Sequence, residues 1–251
     1  MNKRALSAVS AILFICTMAH SAWPGSPNVT IKAGHYPVTI GIKGTWYSNT
    51  SGITVPVTLT FSPPWDLTGG PRMATVASAW IDKSQAYNGG NYPDAAVALQ
   101  VVKPGGDKVC SFLKKTPAGL YFYGMSNTNG DADENFSFAP KFRLFFFPAK
   151  VGKAVTQRTS LVFSEGSIPM TVVTRVVAKG TVIVGAGTFN DSAMVQVKIS
   201  FGGSEPWSFI RYYWIAPYVG YVAEIQSLDN ETNELFTTAD FYMWLRTLEL
   251  P

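Results

Sequence analysis

The sequence has few of the residues on which disulfide frameworks depend. Among its 251 residues there are only two cysteines. Cys16 lies in an apolar segment near the N-terminus, so the rest of the chain has only Cys110, within "VCSFL", and no internal disulfide partner for it. This excludes a fold held together by internal disulfides. We predict that Cys110 is a buried, small apolar side chain and not a reactive thiol.

Histidine and the common catalytic motifs are also scarce. The two histidines are His20, in the N-terminal segment, and His35. A catalytic triad or a multi-histidine metal site would therefore depend on His35 alone. The sequence contains no G-x-S-x-G, phosphate-binding loop, H-E-x-x-H or C-x-x-C. We predict no enzyme and no cofactor; a carboxylate-dependent hydrolase remains the alternative, because paired acids can come from distant parts of a chain.

The charge pattern argues against nucleic acid. The formal net charge is +4, and after the first few residues the lysines and arginines are scattered. Phosphate binding requires a basic stripe or patch, which the sequence does not display.

The N-terminus has the features of an export signal. Lys3 and Arg4 precede the apolar stretch "ALSAVSAILFICTMA", and small residues follow it. Cleavage after Ser21 leaves small side chains at the positions that signal peptidase reads, so we assign residues 1–21 to a signal peptide. Lipid attachment at Cys16 is disfavoured because the bulky Ile15 precedes it. The predicted location is periplasmic or extracellular, with no integral membrane segment after signal removal.

Composition and alternation predict a mainly β protein. The chain has 22 glycines, 16 prolines and 34 aromatic residues, and no long helical repeat of apolar residues. In "MVQVKIS", apolar residues alternate with Gln196 and Lys198, as in a half-buried strand. The final "TTADFYMWLRTLEL" fits a helix or a strand, and we favour a strand. Antiparallel meanders in a curved sheet, half-barrel or sandwich are predicted. A transmembrane barrel is disfavoured, since strands such as "PMTVVTRVVAK" lack a clean lipid-facing alternation.

A short phrase occurs twice. Tyr36, Pro37 and Gly41 in "YPVTIG" correspond to Phe147, Pro148 and Gly152 in "FPAKVG". Proline belongs at a strand start or sheet edge, and glycine permits a turn that a side chain would strain. Each phrase is therefore interpreted as the entry to a β unit, with the aromatic packed beneath the turn. We predict one β domain over residues 22–251, or two β halves that meet near 140–150.

Together with two later phrases, the repeat resembles a large group of bacterial exported proteins and lipoproteins that has no established activity. The group has "YPLxxGxxWxY", then "PxxxGxxW", then "AGTF" followed by "YWxAPGVGxV". Here Val155 replaces the second Trp, and Tyr218 replaces a Gly. The matching residues are Tyr36, Pro37, Gly41, Trp46, Tyr47, Pro148, Gly152, Ala186, Gly187, Thr188, Phe189, Tyr213, Trp214, Ala216, Pro217, Val219 and Gly220. The resemblance implies a secreted β protein with a curved, half-open sheet like that of periplasmic lipoprotein carriers.

Three residues of the later phrases are predicted to form turns. Gly187 permits a tight bend in "GAGTFND", and Pro217 and Gly220 interrupt the apolar run "WIAPYVGYV". A structural joint is favoured over a ligand site in both segments.

One oxygen-rich segment is a candidate cation site. In "NTNGDADEN", Asn129, Asp131 and Asp133 carry side-chain oxygens of the kind that calcium prefers. Gly130 is misplaced for an EF-hand loop and the later Glu is absent, so a solvated turn between strands is favoured.

Consecutive aromatics provide the candidate ligand-binding residues, which are Phe145, Phe147, Tyr213, Trp214 and Tyr218. Neighbouring side chains of a strand point to opposite faces, so both faces of these strands need cover. A filled two-layer core is favoured over an open aromatic face. We predict an exported envelope protein that binds or scaffolds, with an unknown envelope protein as its partner. The alternative is a carrier of an apolar ligand such as a lipid or hydrophobic peptide.

Overall fold

The computed structural model describes residues 30–55, 59–70, 72–129 and 135–251. The 3-10 helices are Ala33–His35, Lys83–Gln85 and Gly89–Asn91. The strands are β1 Lys43–Thr54, β2 Trp65–Asp66, β3 Ala74–Asp82, β4 Val97–Val102, β5 Lys108–Thr116, β6 Gly119–Asn127, β7 Phe136–Phe146, β8 Ala154–Phe163, β9 Gly166–Val184, β10 Gly187–Phe201, β11 Trp207–Ala216, β12 Gly220–Ser227 and β13 Thr238–Glu249. The prediction of a mainly β protein is confirmed, and the C-terminal segment is a strand.

Twelve of the thirteen strands close into one antiparallel barrel. Following the ring from β1, the order is β3 to β13 in sequence, and β13 then pairs with β1. Lys43 of β1 lies opposite Glu249 of β13. The short β2 stands outside the ring and pairs in parallel with β9. The fold is therefore a closed barrel, which is more specific than the curved sheet, half-barrel or sandwich predicted from the sequence. Each of the twelve described ring strands therefore pairs with a neighbour on both sides, whereas an open sheet would have two edges to protect.

The barrel has two ends. Because neighbouring strands are antiparallel, strands begin and finish alternately at each end. We call the end at which β1 begins the lower end. There β8, β10 and β12 also begin, and β7, β11 and β13 finish. The opposite, upper end carries the connections 103–107, 202–206 and 228–237.

The two copies of the repeated phrase occupy equivalent places on opposite sides of the ring. Gly41 precedes β1 and Gly152 precedes β8, and each donates its N–H to the next strand, at Trp80 O (2.9 Å) and Val176 O (2.9 Å). Both glycines have positive φ, +94° and +82°, which an L side chain adopts only under strain. The first six strands of the ring run from β1 to β7 without β2, and the other six run from β8 to β13. Each phrase therefore precedes the first strand of one half of the barrel.

The segment 31–42 crosses the lower end. It pairs with the β7–β8 connection at Ile31 and Ala149, and His35 O accepts the N–H of Tyr218 from the β11–β12 connection at 2.6 Å. The Lys115 ammonium, at the end of β5, donates to Tyr36 O at 2.7 Å. We call residues 31–42 the lower-end segment, because it contacts connections on several sides of the barrel.

Long connections cover parts of the outer surface. Residues 59–70 lie over β11 and β13, where the Tyr242 hydroxyl donates to Leu67 O at 3.1 Å. A Cβ at Gly70 would lie 2.3 Å from the Tyr242 ring, so only glycine permits this approach. Residues 83–96 lie over β5, with the Tyr92 ring stacked at 3.9 Å on Phe112. These covers bury the outer faces of several strands. Gln196 in "MVQVKIS" is buried by a third cover, residues 228–237, although alternation predicts an exposed side chain: its amide donates to the Tyr212 hydroxyl at 2.6 Å, which donates to Glu234 O at 2.9 Å.

The pairing of β7 with β8 stops partway, and side chains continue it. Backbone pairing extends only from Ser137 to Ala139. Further down, the Gln157 amide accepts the N–H of Arg143 at 2.8 Å and donates to Arg143 O at 2.7 Å. The side chain thus replaces a backbone pair and satisfies peptide groups that would otherwise lack partners.

The interior is packed with large side chains. Tyr36, Trp46, Tyr213 and Tyr221 are each at most 1 % exposed. Cys110 is buried, as predicted, and burial is the main cause that raises the pKa of its thiol. Within the described parts of residues 30–251, no helix has the length and apolar character needed to cross a bilayer.

Candidate functional site

Two of the predicted aromatic residues meet inside the barrel. Phe145 of β7 and Tyr213 of β11 approach edge to face, with ring centroids 5.2 Å apart. Because β7 and β11 are not neighbours in the ring, this contact passes through the interior. Tyr36 of the lower-end segment packs against both Phe145 (5.8 Å) and Phe147 (5.6 Å). These rings fill the lower part of the interior.

Trp214 lies on the opposite side of the sheet from Tyr213, as alternation requires. It is fully buried beneath residues 59–67, where the Trp65 ring approaches it edge-on at 6.3 Å. A cavity of about 210 Å³ lies between this cover and the barrel wall. Its lining residues are Leu59, Thr60, Pro64, Trp65, Asp66, Leu67 and Trp214. Sites for drug-sized ligands usually have about 300 to 1,000 Å³, so this cavity is too small for a lipid chain.

Tyr218 is in a third environment. It is 57 % exposed at the lower end and has a positive φ of +62°. Its ring lies 4.9 Å from that of His35. Burial, followed by the charges of Lys32 and Lys179, lowers the pKa of His35. The five residues predicted as one ligand site are therefore divided among the interior, a covered outer face and an exposed end.

The barrel interior also contains a buried ion pair that sequence reasoning did not find. The Arg211 Nε lies 3.1 Å from a carboxylate oxygen of Glu224, and both side chains are buried. Arg211 also donates to the Gln226 amide oxygen and, at 3.1 Å, to the Tyr213 hydroxyl. Glu224 lies directly opposite Tyr213, and Gln226 directly opposite Arg211, in the pairing of β11 with β12. The only sequence signal is that these polar residues interrupt otherwise apolar strands.

Burial has the largest effect on the pKa values of Glu224 and Tyr213. It raises the pKa of Glu224 to about 7, although Arg211 and the hydroxyls of Tyr221 and Tyr213 favour the ionised form. Burial likewise raises the pKa of Tyr213. Perturbed carboxylates are common in active sites, but a catalytic acid must reach its substrate. Glu224 has no exposed surface, so this geometry fits a structural ion pair better than a reaction centre.

The predicted cation site lies mostly outside the described residues, since Asp131 and Asp133 fall in 130–134. Asn129 is described, and its side-chain amide donates to the Asp107 carboxylate. In the part of the chain that the structure describes, no three residues among His, Cys, Asp and Glu are grouped as metal ligands.

The residues predicted as turns lie in connections or at strand ends. Pro37 belongs to the lower-end segment, Pro148 to the β7–β8 connection and Pro217 to the β11–β12 connection. Gly187 and Gly220 begin β10 and β12 with positive φ values of +141° and +89°.

The lower end is a candidate interaction surface. Four exposed apolar side chains lie there, each close to a contact of the lower-end segment: Ile40 (49 % exposed), Val151 (56 %), Tyr218 (57 %) and Leu250 (41 %). The cationic residues at this end are Lys32, Lys43, Lys83, Lys114, Lys115, Arg143, Lys150, Lys153, Lys179 and Arg246. The described carboxylates on this side are Asp66, which lies opposite Ile183 near the end of β9, and Asp82, Asp94, Asp191 and Glu249. Sequence reasoning missed this surface because its members are scattered along the chain.

Comparison with known proteins adds two distant structural likenesses. No protein-family model matches the chain, and no curated protein matches it. A predicted lipoprotein of Parabacteroides distasonis is similar at a TM-score of 0.45 and 13 % identity, over 88 % of this chain and all of the other. A predicted exported protein of Bacteroides fragilis with a YmcC-like fold is similar at a TM-score of 0.43 and 15 % identity, with the same coverage. At this level of similarity, no property of either protein is carried over to this chain.

Proposed function

We propose that the chain is an exported, non-enzymatic protein of the cell envelope that binds or scaffolds through its outer surface and its ends. The observation that carries this proposal is the contact between Phe145 and Tyr213 across the barrel interior. A carrier needs interior space for its cargo, whereas here rings from non-neighbouring strands meet and the lower-end segment adds Tyr36. The N-terminal export signal, a sequence-based prediction, provides the compartment.

The cavity beneath residues 59–67 is the candidate site for the alternative of an apolar-ligand carrier in the part of the chain that the structure describes. Its volume of about 210 Å³ is smaller than that of usual ligand sites and suits only a small group. For the alternative of a carboxylate-dependent hydrolase, the carboxylate with the pKa raised to about 7, Glu224, is fully buried beside Arg211 and does not reach a substrate.

Native mass spectrometry of the protein isolated from its own host tests the proposal against the carrier. We expect the mass of the processed chain without a bound lipid or peptide. Titration with an apolar fluorescent dye should likewise show no saturable, one-to-one binding. A stoichiometric co-purified ligand, lost in Trp214→Phe but kept in Tyr218→Phe, would favour a carrier that uses the covered cavity.

A further inference from the structure

We propose that the lower end of the barrel docks on a membrane surface rich in anionic lipid. This goes beyond the proposed function by assigning a partner to one surface. It rests on the proposed function in one point, which is that the protein binds through its surface and not through its interior.

The first argument is charge. Among the described residues, the ten cationic side chains at the lower end outnumber the five carboxylates there, and Lys179 is paired with Asp191 at 3.4 Å. The upper connections have the opposite bias, since Asp107, Glu165, Glu205, Asp229 and Glu231 lie there with Lys103 and Lys108. Glu234 of the same connections is paired with Arg175 at 2.9 Å and with Lys198 at 2.6 Å. A barrel polarised in this way is oriented with its lower end toward a negative surface.

The second argument is the combination of charge with exposed apolar tips. Ile40, Val151, Tyr218 and Leu250 are exposed in four different segments at the lower end, and Lys150 directly precedes Val151. A purely electrostatic partner, such as a polyanion in solution, would not require apolar tips. A bilayer interface accepts both kinds of side chain, with the apolar tips among the headgroups and the cations at the anionic lipids.

The third argument is that the lower end is the end nearest in sequence to the predicted signal segment. Ile31 pairs with Ala149 at the lower end, so the described chain enters the barrel on this side. The predicted signal segment ends at residue 21. Nine residues separate it from Ile31, and at about 3.3 to 3.6 Å for each they span at most roughly 30 Å. Before signal removal, the lower end is therefore held close to the membrane surface.

The test is sedimentation of the processed full-length protein with vesicles. The probes are vesicles of phosphatidylcholine alone and of phosphatidylcholine mixed with phosphatidylglycerol, and an intact mass first establishes that no lipid is attached. We expect binding to the mixed vesicles only. Raising the salt from about 0.1 M to about 1 M should weaken it, because the screening length falls from about 10 Å to about 3 Å.

Two double variants and two matched controls locate the surface. Lys32→Glu with Lys150→Glu should lower binding by well over tenfold, since each lysine near an anionic surface contributes about fivefold. Ile40→Ser with Val151→Ser should lower binding at unchanged charge. The upper-end controls, Lys103→Glu with Lys108→Glu and Met73→Ser with Leu235→Ser, should bind like the parent.

Equal loss in the upper-end and lower-end charge variants would overturn the proposal, because only net charge would then matter. It would also be overturned if mixed vesicles failed to bind while an anionic polysaccharide retained the protein, since the lower end would then recognise a soluble polyanion. Neither result bears on whether the interior carries a ligand, so failure here is distinct from failure of the proposed function.

Discussion

The rings of Tyr36 and Phe147 lie 5.6 Å apart at the lower end of the barrel, and they occupy equivalent positions in the two copies of the repeated phrase. Each ring precedes a glycine with positive φ, and each glycine precedes the first strand of a six-strand half. The repeat therefore brings its own two anchors together, and the two strand entries share one aromatic contact. This arrangement couples the halves at the end where they begin.

Loss of Trp214 tests whether the covered outer face is part of the core. The ring is fully buried between the barrel wall and Trp65. We expect Trp214→Ala to lower the free energy of unfolding by about 3 to 5 kcal/mol, as for other large-to-small core substitutions. Denaturant melts measure the change. Tyr218→Ala, at an exposed aromatic, is the control and should change the stability by about 0.5 kcal/mol or less.

A side chain at Gly220 should strain the β11–β12 connection. Gly220 has a φ of +89°, a conformation that L residues rarely adopt. We expect Gly220→Val to cost about 1 to 3 kcal/mol of unfolding free energy. Gly34→Val is the matched control, because a Cβ at Gly34 would meet nothing within 4 Å and φ there is ordinary. Equal stability of the two variants would contradict a conformational role for Gly220.

Glu224 should make stability depend on pH. Burial raises its pKa from 4.5 to about 7, so the folded chain holds this proton more tightly than the unfolded chain does. Its contribution to stability is fully present below about pH 4.5 and is lost as the pH rises through about 7. We expect the unfolding free energy of the parent, measured relative to Glu224→Gln, to fall across this window. Glu249→Gln removes an exposed carboxylate and serves as the control; a pH-independent difference for Glu224→Gln would contradict the assignment.

Gln157 should hold the incomplete pairing between β7 and β8. Its amide makes two hydrogen bonds, of 2.8 and 2.7 Å, to the backbone of Arg143. Gln157→Leu leaves that N–H and C=O without these partners, and we expect a cost of about 1 to 3 kcal/mol. Hydrogen exchange at the Arg143 amide should become faster. The exposed neighbour Arg158→Leu provides the comparison, in which exchange at Arg143 should stay slow.

Local patterns predicted strands well, but not the relations between them. Alternation in "MVQVKIS" correctly indicates a strand, yet it cannot show that residues 228–237 bury its polar face, where the Tyr212 hydroxyl donates to Glu234 O at 2.9 Å. The repeat correctly places Gly41 and Gly152 in turns with positive φ. Closure into a barrel depends on the pairing of β1 with β13, which are separated by almost the whole chain, and no local pattern encodes it.

The candidate site shows the same limit. Consecutive aromatics indicated Phe145 and Tyr213, which do meet, but they also grouped these residues with Trp214 and Tyr218, which face elsewhere. The Arg211–Glu224 pair joins two neighbouring strands whose register is not readable from sequence. Chain order cannot reveal such a contact, because a shift in register by one residue would send the two side chains to opposite faces.

The pairing of β1 with β13 also sets a time order for folding. Apart from β1 with β13, each pair of neighbours in the ring consists of ring strands that follow each other along the chain. A growing sheet can therefore extend as the chain emerges. The ring can close only after Glu249, near the last residue, is free to align with Lys43. Until then two sheet edges stay unpaired and open to other chains. A chain that is exported unfolded would therefore complete its barrel only after its final strand has crossed, and loss of that strand would leave a protein prone to aggregate.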